Sequence, residues 1–245
     1  IHYLNTSTQP QLITAASGVP NNLNITFCLH VFTYRFALLL IAPTVDGQDQ
    51  LYTIYWSTFG DPLDFTEDNF LIAPTSERIR AIGQINNDLI VRFARSERIF
   101  RYTGDAFAPF RWDTTNSTWR CEASYSAINY DTYVSSIGKP GIVGSDGVNA
   151  KRIDERIPDF TDSSRIAEQT PIAYLNQSSI HVCYGERFDD LKEGWLCYNS
   201  VQTGGDVPSK SDNVLAFNYM DESWGIYKFP FSCLGFGQIL DVPTW

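Results

Sequence analysis

No apolar run in this chain is long enough to cross a bilayer. The longest, residues 36–43 (FALLLIAP), falls far short of the roughly 20 residues a spanning helix needs, so no membrane span is expected. Long amphipathic helices are missing too. The best helical stretch, residues 159–169 (DFTDSSRIAEQ), is short and polar and would carry one turn or two. Basic residues are scarce: 18 Lys and Arg stand against 28 Asp and Glu, a net charge of -10. That balance argues against a phosphate-backbone surface, and no sequence-specific nucleic-acid partner is expected. There is no CxxC pair and no group of histidines near a cysteine, which excludes the common zinc spacings. The three histidines, His2, His30 and His181, are scattered, with His30 and His181 expected in strands, and no Ser–His–Asp or Cys–His pairing can be argued from them. Gly204-Gly205 has no Lys-Ser/Thr behind it, so no P-loop is present. Ser145-Asp146-Gly147 lacks the spacing and the tryptophan of a sialidase box.

What the chain does have is aromatic and β-branched residues. Aromatics make up 14% and hydrophobic residues 43% of 245 residues, enough for one large all-β domain or two smaller ones with a core that needs no disulfides. The five cysteines (Cys28, Cys121, Cys183, Cys197, Cys233) are odd in number and widely spaced. Cys183 and Cys197 lie in strand-like runs and are expected to face each other as buried thiols rather than as a disulfide. Sequons at Asn5, Asn24, Asn116 and Asn176 would permit a secreted glycoprotein, but Asn, Ser and Thr are abundant enough to produce such matches by chance. The chain opens at Ile1 without a signal-peptide pattern and is expected to be an excerpt or a processed product.

Residues 51–104 set the pattern for the rest. LYTIYWS, NFLIAP, IRAIG, DLIVRFAR and RIFRYTG are short, rich in Ile, Val, Tyr, Phe and Trp, and bounded by Gly, Pro, Asn or Asp, as antiparallel strands joined by tight turns are. Asn86, Asn87 and Asp88 tolerate a left-handed backbone and predict a hairpin between IRAIGQI and LIVRFAR. Asp46-Gly47 predicts another hairpin, and a bend is implied at Tyr34-Arg35 between ITFCLHVFTY and RFALLLIA. Residues 1–24, polar and carrying Pro10 and Pro20, read as an extended lead-in or linker with at most one strand, QLITAA. Residues 201–213 (VQTGGDVPSKSDN) read as an exposed loop.

Strand-turn-strand pieces recur at residues 79–93, 123–137 and 171–185, and residues 231–245 open a further one. Each is followed by a further strand pair, so a unit holds about four strands over about 40–50 residues, the sequence mark of a β-propeller. A sandwich would need no such period. The expected fold is therefore all-β, a propeller of four-stranded antiparallel blades over residues 25–245, with about four blades and partial ones, whose ring closes through further chain or by the first strands meeting the last.

Details inside the units go further. YWSTFGDPLDFTEDNFLI (residues 55–72) is similar to the Trp-Ser-x-x-Gly-Asp-Pro-x-x-Phe signature of tailed-bacteriophage virion β-propellers, here Trp56, Ser57, Gly60, Asp61, Pro62 and Phe65. IRAIGQINNDLIVRF, with Asn87, resembles the strand hairpin that follows it in that family, and RIFRYTG its next strand. GIVGSDGVNAKRIDERIPDF resembles the family's Asp-Gly blade strand at Asp146 and Gly147, with Asn149 where an aromatic is usual and Glu155 where Gly is usual. NVLAFNYMDESWGIY resembles its Trp-Ser strand pair at Trp224, with Gly225 in place of Ser. The match covers roughly residues 36–230 and rests on the order and spacing of these motifs. The resemblance is nearest to the tail tubular or nozzle proteins of short-tailed phages. It implies a structural, non-enzymatic role in the virion tail, no cofactor, partners among other tail or head-tail connector proteins, and a homo-oligomeric ring at the DNA exit channel. The runner-up is a secreted propeller that binds or hydrolyses glycans, motivated by the sequons, the aromatics and the acidic balance.

Other residues are candidate sites. Asp61, Asp64, Glu67 and Asp68 form the densest acidic cluster; a cation site or a hydrolytic carboxylate pair competes there with a turn at Asp61-Pro62 and a loop cap at Asp64, and the turn is favoured. Asp146, Asn149 and Asp154 are spaced faintly like a calcium loop, but a hairpin turn at Asp146-Gly147 is favoured. Arg78 and Arg80, then Arg92, Arg95, Arg98 and Arg101, then Lys151 and Arg152, alternate with apolar residues; salt bridges on blade faces are favoured over a surface facing DNA or an acidic neighbour. The tryptophans at 56, 112, 119, 195, 224 and 245 are expected near strand ends as wedges between blades.

Overall fold

The computed structural model describes residues 2–4, 10–12, 25–66, 68–117, 119–138, 141–155, 157, 175–200 and 211–231. Strands β1 (His2–Leu4) and β2 (Pro10–Leu12) pair antiparallel. The lead-in therefore holds two strands, not at most one; Pro10 opens β2, a strand position where a missing N–H is tolerated.

The rest is four antiparallel sheets in chain order, each a meander whose strands neighbour one another in sequence. The first comprises β3 (Ile25–Tyr34), β4 (Ala37–Val45), β6 (Thr53–Trp56) and β7 (Phe70–Ile72), with the short β5 (Gln48–Asp49) also paired to β4. The second comprises β8 (Ile79–Ile85), β9 (Asp88–Phe93), β10 (Glu97–Tyr102) and β11 (Phe110–Thr114). The third comprises β12 (Ile128–Asn129), β13 (Val134–Gly138), β14 (Gly141–Ser145) and β15 (Ala150–Arg152). The fourth comprises β16 (Tyr184–Phe188), β17 (Glu193–Tyr198), β18 (Ser211–Asn218) and β19 (Trp224–Phe231). These are the four-stranded blades of a β-propeller, as the period of the sequence predicts. The segment before residue 79 forms a full sheet rather than a partial one.

Turn chemistry fixes the hairpins. Arg35 and Phe36 both take positive φ (51° and 66°) between β3 and β4, as do Asp46 (49°) and Gly47 (74°) between β4 and β5, the backbone of two-residue hairpin turns. Asn86 (φ 51°) turns β8 into β9, with Ile85 opposite Asp88. Hydrophobic packing then stacks the blades face to face. Leu39, Ile41, Ile54 and Trp56 of the first sheet share a core with Leu89, Val91, Phe93, Phe100 and Phe110 of the second. Ile85, Ile90 and Ile99 meet Val134 of the third. Ile137 and Ile142 share a core with Leu196, Tyr198, Leu215 and Phe217 of the fourth. Middle strands are thus covered on both faces, and β9 reads as an almost unbroken buried run rather than alternating.

The recurring piece at residues 171–185 is not a strand pair in its described part. Gln177–Val182 is a 3-10 helix, so His181 lies on it and not in a strand. Asn176 caps it, its side-chain oxygen accepting the Ser178 N–H at 3.1 Å. Local side-chain bonding of this kind outcompetes a ladder that alternation alone would suggest. His30 does lie in a strand, β3. The loop expected over 201–213 ends earlier: Ser211 and Asn213 are buried in β18, while 201–210 lie outside the described residues. Phe231 ends β19, while 232–245, expected to open a further unit, and the short helix expected over 159–169 lie outside the described residues. Cys183 and Cys197 are buried free thiols close across the β16–β17 pair, Tyr184 standing opposite Cys197. Burial pushes both thiols up to about 12.

Candidate functional site on the blade axis

The motif residues from Trp56 to Phe65 build the first blade. Trp56 ends β6 and sets its ring edge-on to Phe110 of the second blade, 5.0 Å between centroids, which makes it an inter-blade wedge. Ser57 is buried and ties β4 at both ends of its own residue: its N–H donates to Leu38 O and its hydroxyl accepts the Leu38 N–H, both at 2.9 Å. Gly60 takes φ 84°, where a side chain would be strained, and donates to Phe36 O at 2.8 Å. Asp61 accepts the Leu63 N–H across the exposed Pro62, and Asp64 accepts the Thr58 hydroxyl at 2.7 Å. The favoured turn reading of this acidic cluster therefore holds for Asp61 and Asp64; Glu67 lies outside the described residues. Phe65 is fully buried against Ile25, Leu40, Val45 and Tyr55.

The other motif residues do similar work. The Asn87 carbonyl accepts the Tyr34 hydroxyl, linking the first two blades. Asp146 accepts the N–H groups of Val148 and Asn149 at 2.8 and 2.7 Å, bonds that hold its carboxyl below the usual range. Gly147 takes φ 88° in that turn. Asp154, far from ligating with Asp146, is buried and paired with Arg152 at 2.6 Å, and its burial raises its carboxyl. Among the described residues no group of His, Cys, Asp or Glu could hold a metal ion. Trp224 opens β19 and packs on Phe217 of its own blade, centroids 4.6 Å apart. Trp112 and Trp195 likewise pack within their blades, while Trp119 bonds Ala150 O at 2.9 Å. The wedge role expected of all the tryptophans thus falls to Trp56, because mid-strand rings at 112 and 195 find partners on the same sheet. Trp245 lies outside the described residues.

Two arrangements were not legible in the sequence. One is a buried polar node between the second and third blades. Arg92 pairs with Glu97 at 3.0 Å, both only 3% exposed. Arg92 also donates to Val143 O and Val134 O at 3.0 Å and to the Ser136 hydroxyl, and Ser145 donates to Glu97 at 2.6 Å. Every arm of the ion pair is satisfied, which is the condition under which a buried pair is tolerated. Salt bridging, the favoured reading of the basic clusters, holds for Arg92, Arg101 and Arg152.

The second is the axis. The first strands β3, β8, β12 and β16 converge on a cavity of about 300 Å³ lined by His30, Ile82, Asn129, Tyr184, Glu186 and Arg187 among others. They run the same way round it: Tyr125 and Tyr184 form a parallel bridge, and the Gln84 N–H near the end of β8 donates to the Asn129 side chain at the end of β12. His30 Nε2 donates to Arg80 O at 3.2 Å and its ring meets the Tyr125 ring edge-on at 5.3 Å; burial lowers its pKa. Tyr184 donates to Glu186 at 2.6 Å. Arg187 bonds Asp131 at 2.8 Å and lies over Tyr219, contacts that raise its pKa and lower that of Asp131. The cavity thus offers a phenol, a carboxylate, an amide and an imidazole, groups that hold a small polar molecule by hydrogen bonds.

Alternate turns of a meander fall at opposite ends of the blades. The end that carries the first-to-second and third-to-fourth turns is acidic, with Asp61, Asp105, Asp131, Asp146, Asp190 and Asp221 in its loops. The opposite end carries Arg78, Arg95 and Arg120 in its loops together with Asp46, Glu77, Glu122, Asp154 and Glu155.

No protein-family model matches the chain, and no curated protein sequence matches it. Among solved structures, a candidate exported protein of Bacteroides fragilis superposes with a TM-score of 0.40 at 11% identity over 81% of this chain and 57% of its own. The N-terminal domain of Nup159 superposes with a TM-score of 0.40 at 8% identity over 84% of this chain and 48% of its own. The chain spans about half the length of these two structures.

Proposed function

We propose that this chain is a scaffolding β-propeller of a tailed-phage virion, in a tail nozzle or tubular protein, and that it works without catalysis as part of a homo-oligomeric ring contacting other tail or connector proteins. The observation that supports this reading is the use made of the phage-type motif. Trp56, Ser57, Gly60, Asp61 and Phe65 each wedge, tie, turn or fill the blade they belong to, and none is aimed into the axial cavity. A signature spent on blade construction suits a part whose task is shape. Gold-labelled antibodies against this chain test the reading on particles purified from lysates of the source host. Label at the tail is the expected result; protein recovered only free of particles contradicts it.

A second reading, a glycan-binding propeller, is favoured by one observation. Tyr125 is 43% exposed beside the axial cavity, where Tyr184 and Glu186 supply an aromatic wall and a carboxylate. A glycan array probed with the purified chain decides this: saturable binding lost in Tyr125→Ala supports it, and a silent array removes it.

A further inference from the structure

The described arginines fall into two groups. Arg92, Arg101, Arg111, Arg152 and Arg187 each hold a carboxylate oxygen within 3.1 Å. Arg35, Arg78, Arg80, Arg95, Arg98 and Arg120 have no carboxylate in ion-pair range among the described residues. In a chain of net charge -10, six guanidinium groups left without acid partners are not explained by a shortage of acids. Arg80, Arg95 and Arg120 line one cup of about 250 Å³, together with His181 and Ser124, against a single lining carboxylate, Glu122.

The cup is assembled from separate segments. Arg80 comes from β8, Arg95 from the turn between β9 and β10, Arg120 and Glu122 from the loop before β12, and His181 from the end of the 3-10 helix. Ser124 lines both this cup and the axial cavity, so the two adjoin. Arg80 Nε is buried with no hydrogen-bond partner, a donor that a bound acceptor would satisfy. Glu77 accepts the backbone N–H of Arg95 at 2.6 Å and makes no ion pair with its guanidinium.

We propose that this cup binds a phosphate-type oxyanion. Guanidinium forks match phosphate oxygens in pairs, and three such groups from separate segments around one cup suit a doubly charged tetrahedral group better than a planar, singly charged carboxylate. The site stands on the cup alone and does not depend on where the protein works.

Isothermal titration of the full chain with orthophosphate at low salt tests it. Expected are one saturable site, loss of binding on raising NaCl to about 0.5 M, and about tenfold weaker binding for each of Arg80→Gln and Arg120→Gln. Arg111→Gln, on β11 and paired with Asp113, leaves the affinity unchanged. Because Arg80 is partly buried, near-UV circular dichroism confirms that its variant is folded, and Arg120, which is exposed, gives an independent variant. Adenosine monophosphate separates the sources: tighter binding than orthophosphate assigns the site to a phosphate ester, equal or weaker binding to free phosphate. Absence of a saturable site, acetate binding as well as phosphate, or an Arg111→Gln loss equal to that of Arg120→Gln overturns the proposal.

Discussion

Removing one charge from the Arg92–Glu97 node should be among the most damaging single changes in the protein. Arg92→Met leaves Glu97 buried with its cation gone and strips donors from Val134 O and Val143 O. Breaking a buried pair from one side costs about 3–5 kcal/mol, because the remaining charge stays uncompensated. That is a large fraction of the roughly 5–15 kcal/mol that holds a domain folded. At a urea dependence of about 2 kcal/mol per M, the unfolding midpoint followed by tryptophan fluorescence should fall by about 2 M. The double variant Arg92→Met/Glu97→Leu removes both charges and should recover at least half of that loss, since the desolvation cost disappears with them. A single-variant shift below about 0.5 M, or a double variant as weak as the single, would refute the claim that the node is a dry, mutually dependent pair.

Further outcomes follow from packing and titration. Tyr34→Phe takes the donor from Asn87 O and the acceptor from the Tyr102 N–H, and should cost about 1–3 kcal/mol in the same urea assay. Gly185→Ala places a methyl 2.7 Å from Ser126 O, a backbone atom that cannot swing away, and should cost about 1–3 kcal/mol, whereas Gly225→Ala, with nothing within 4 Å, should change stability little. Burial raises the folded-state values of Cys183 and Cys197 above 9.0, to about 12, so their contribution to stability is present below pH 9 and lost as pH rises toward 12. Tyr133, also pushed up to about 12 by burial, adds to the same trend. Urea midpoints should therefore fall between pH 8 and pH 11, and native protein should leave both thiols unreacted with a thiol reagent at pH 8; an unchanged midpoint or rapid labelling contradicts this.

The blades were legible because their information is local. Asp46-Gly47, Asn86-Asn87 and Asp146-Gly147 mark turns by backbone chemistry alone, and apolar runs between them recur at blade length. Residues 177–182 were misread because SSIHV alternates like a strand while Asn176, one residue upstream, captures the backbone as a cap. Arg92 and Arg95 look alike in sequence, yet one is sealed between blades and the other lines an open cup. That difference depends on which blade lies alongside, and Ser136 and Val143 are far away in the chain. The axial cavity was hidden for the same reason: His30, Asn129 and Glu186 meet only once four first strands share an axis.

The central claim is that this chain is a ring-borne scaffold whose motif residues serve the blade. Cryo-electron microscopy of particles from the source host tests it most directly. The expected result is density for four-stranded blades, wedged at Trp56, repeated symmetrically on the tail. Intact tails without that density would contradict it.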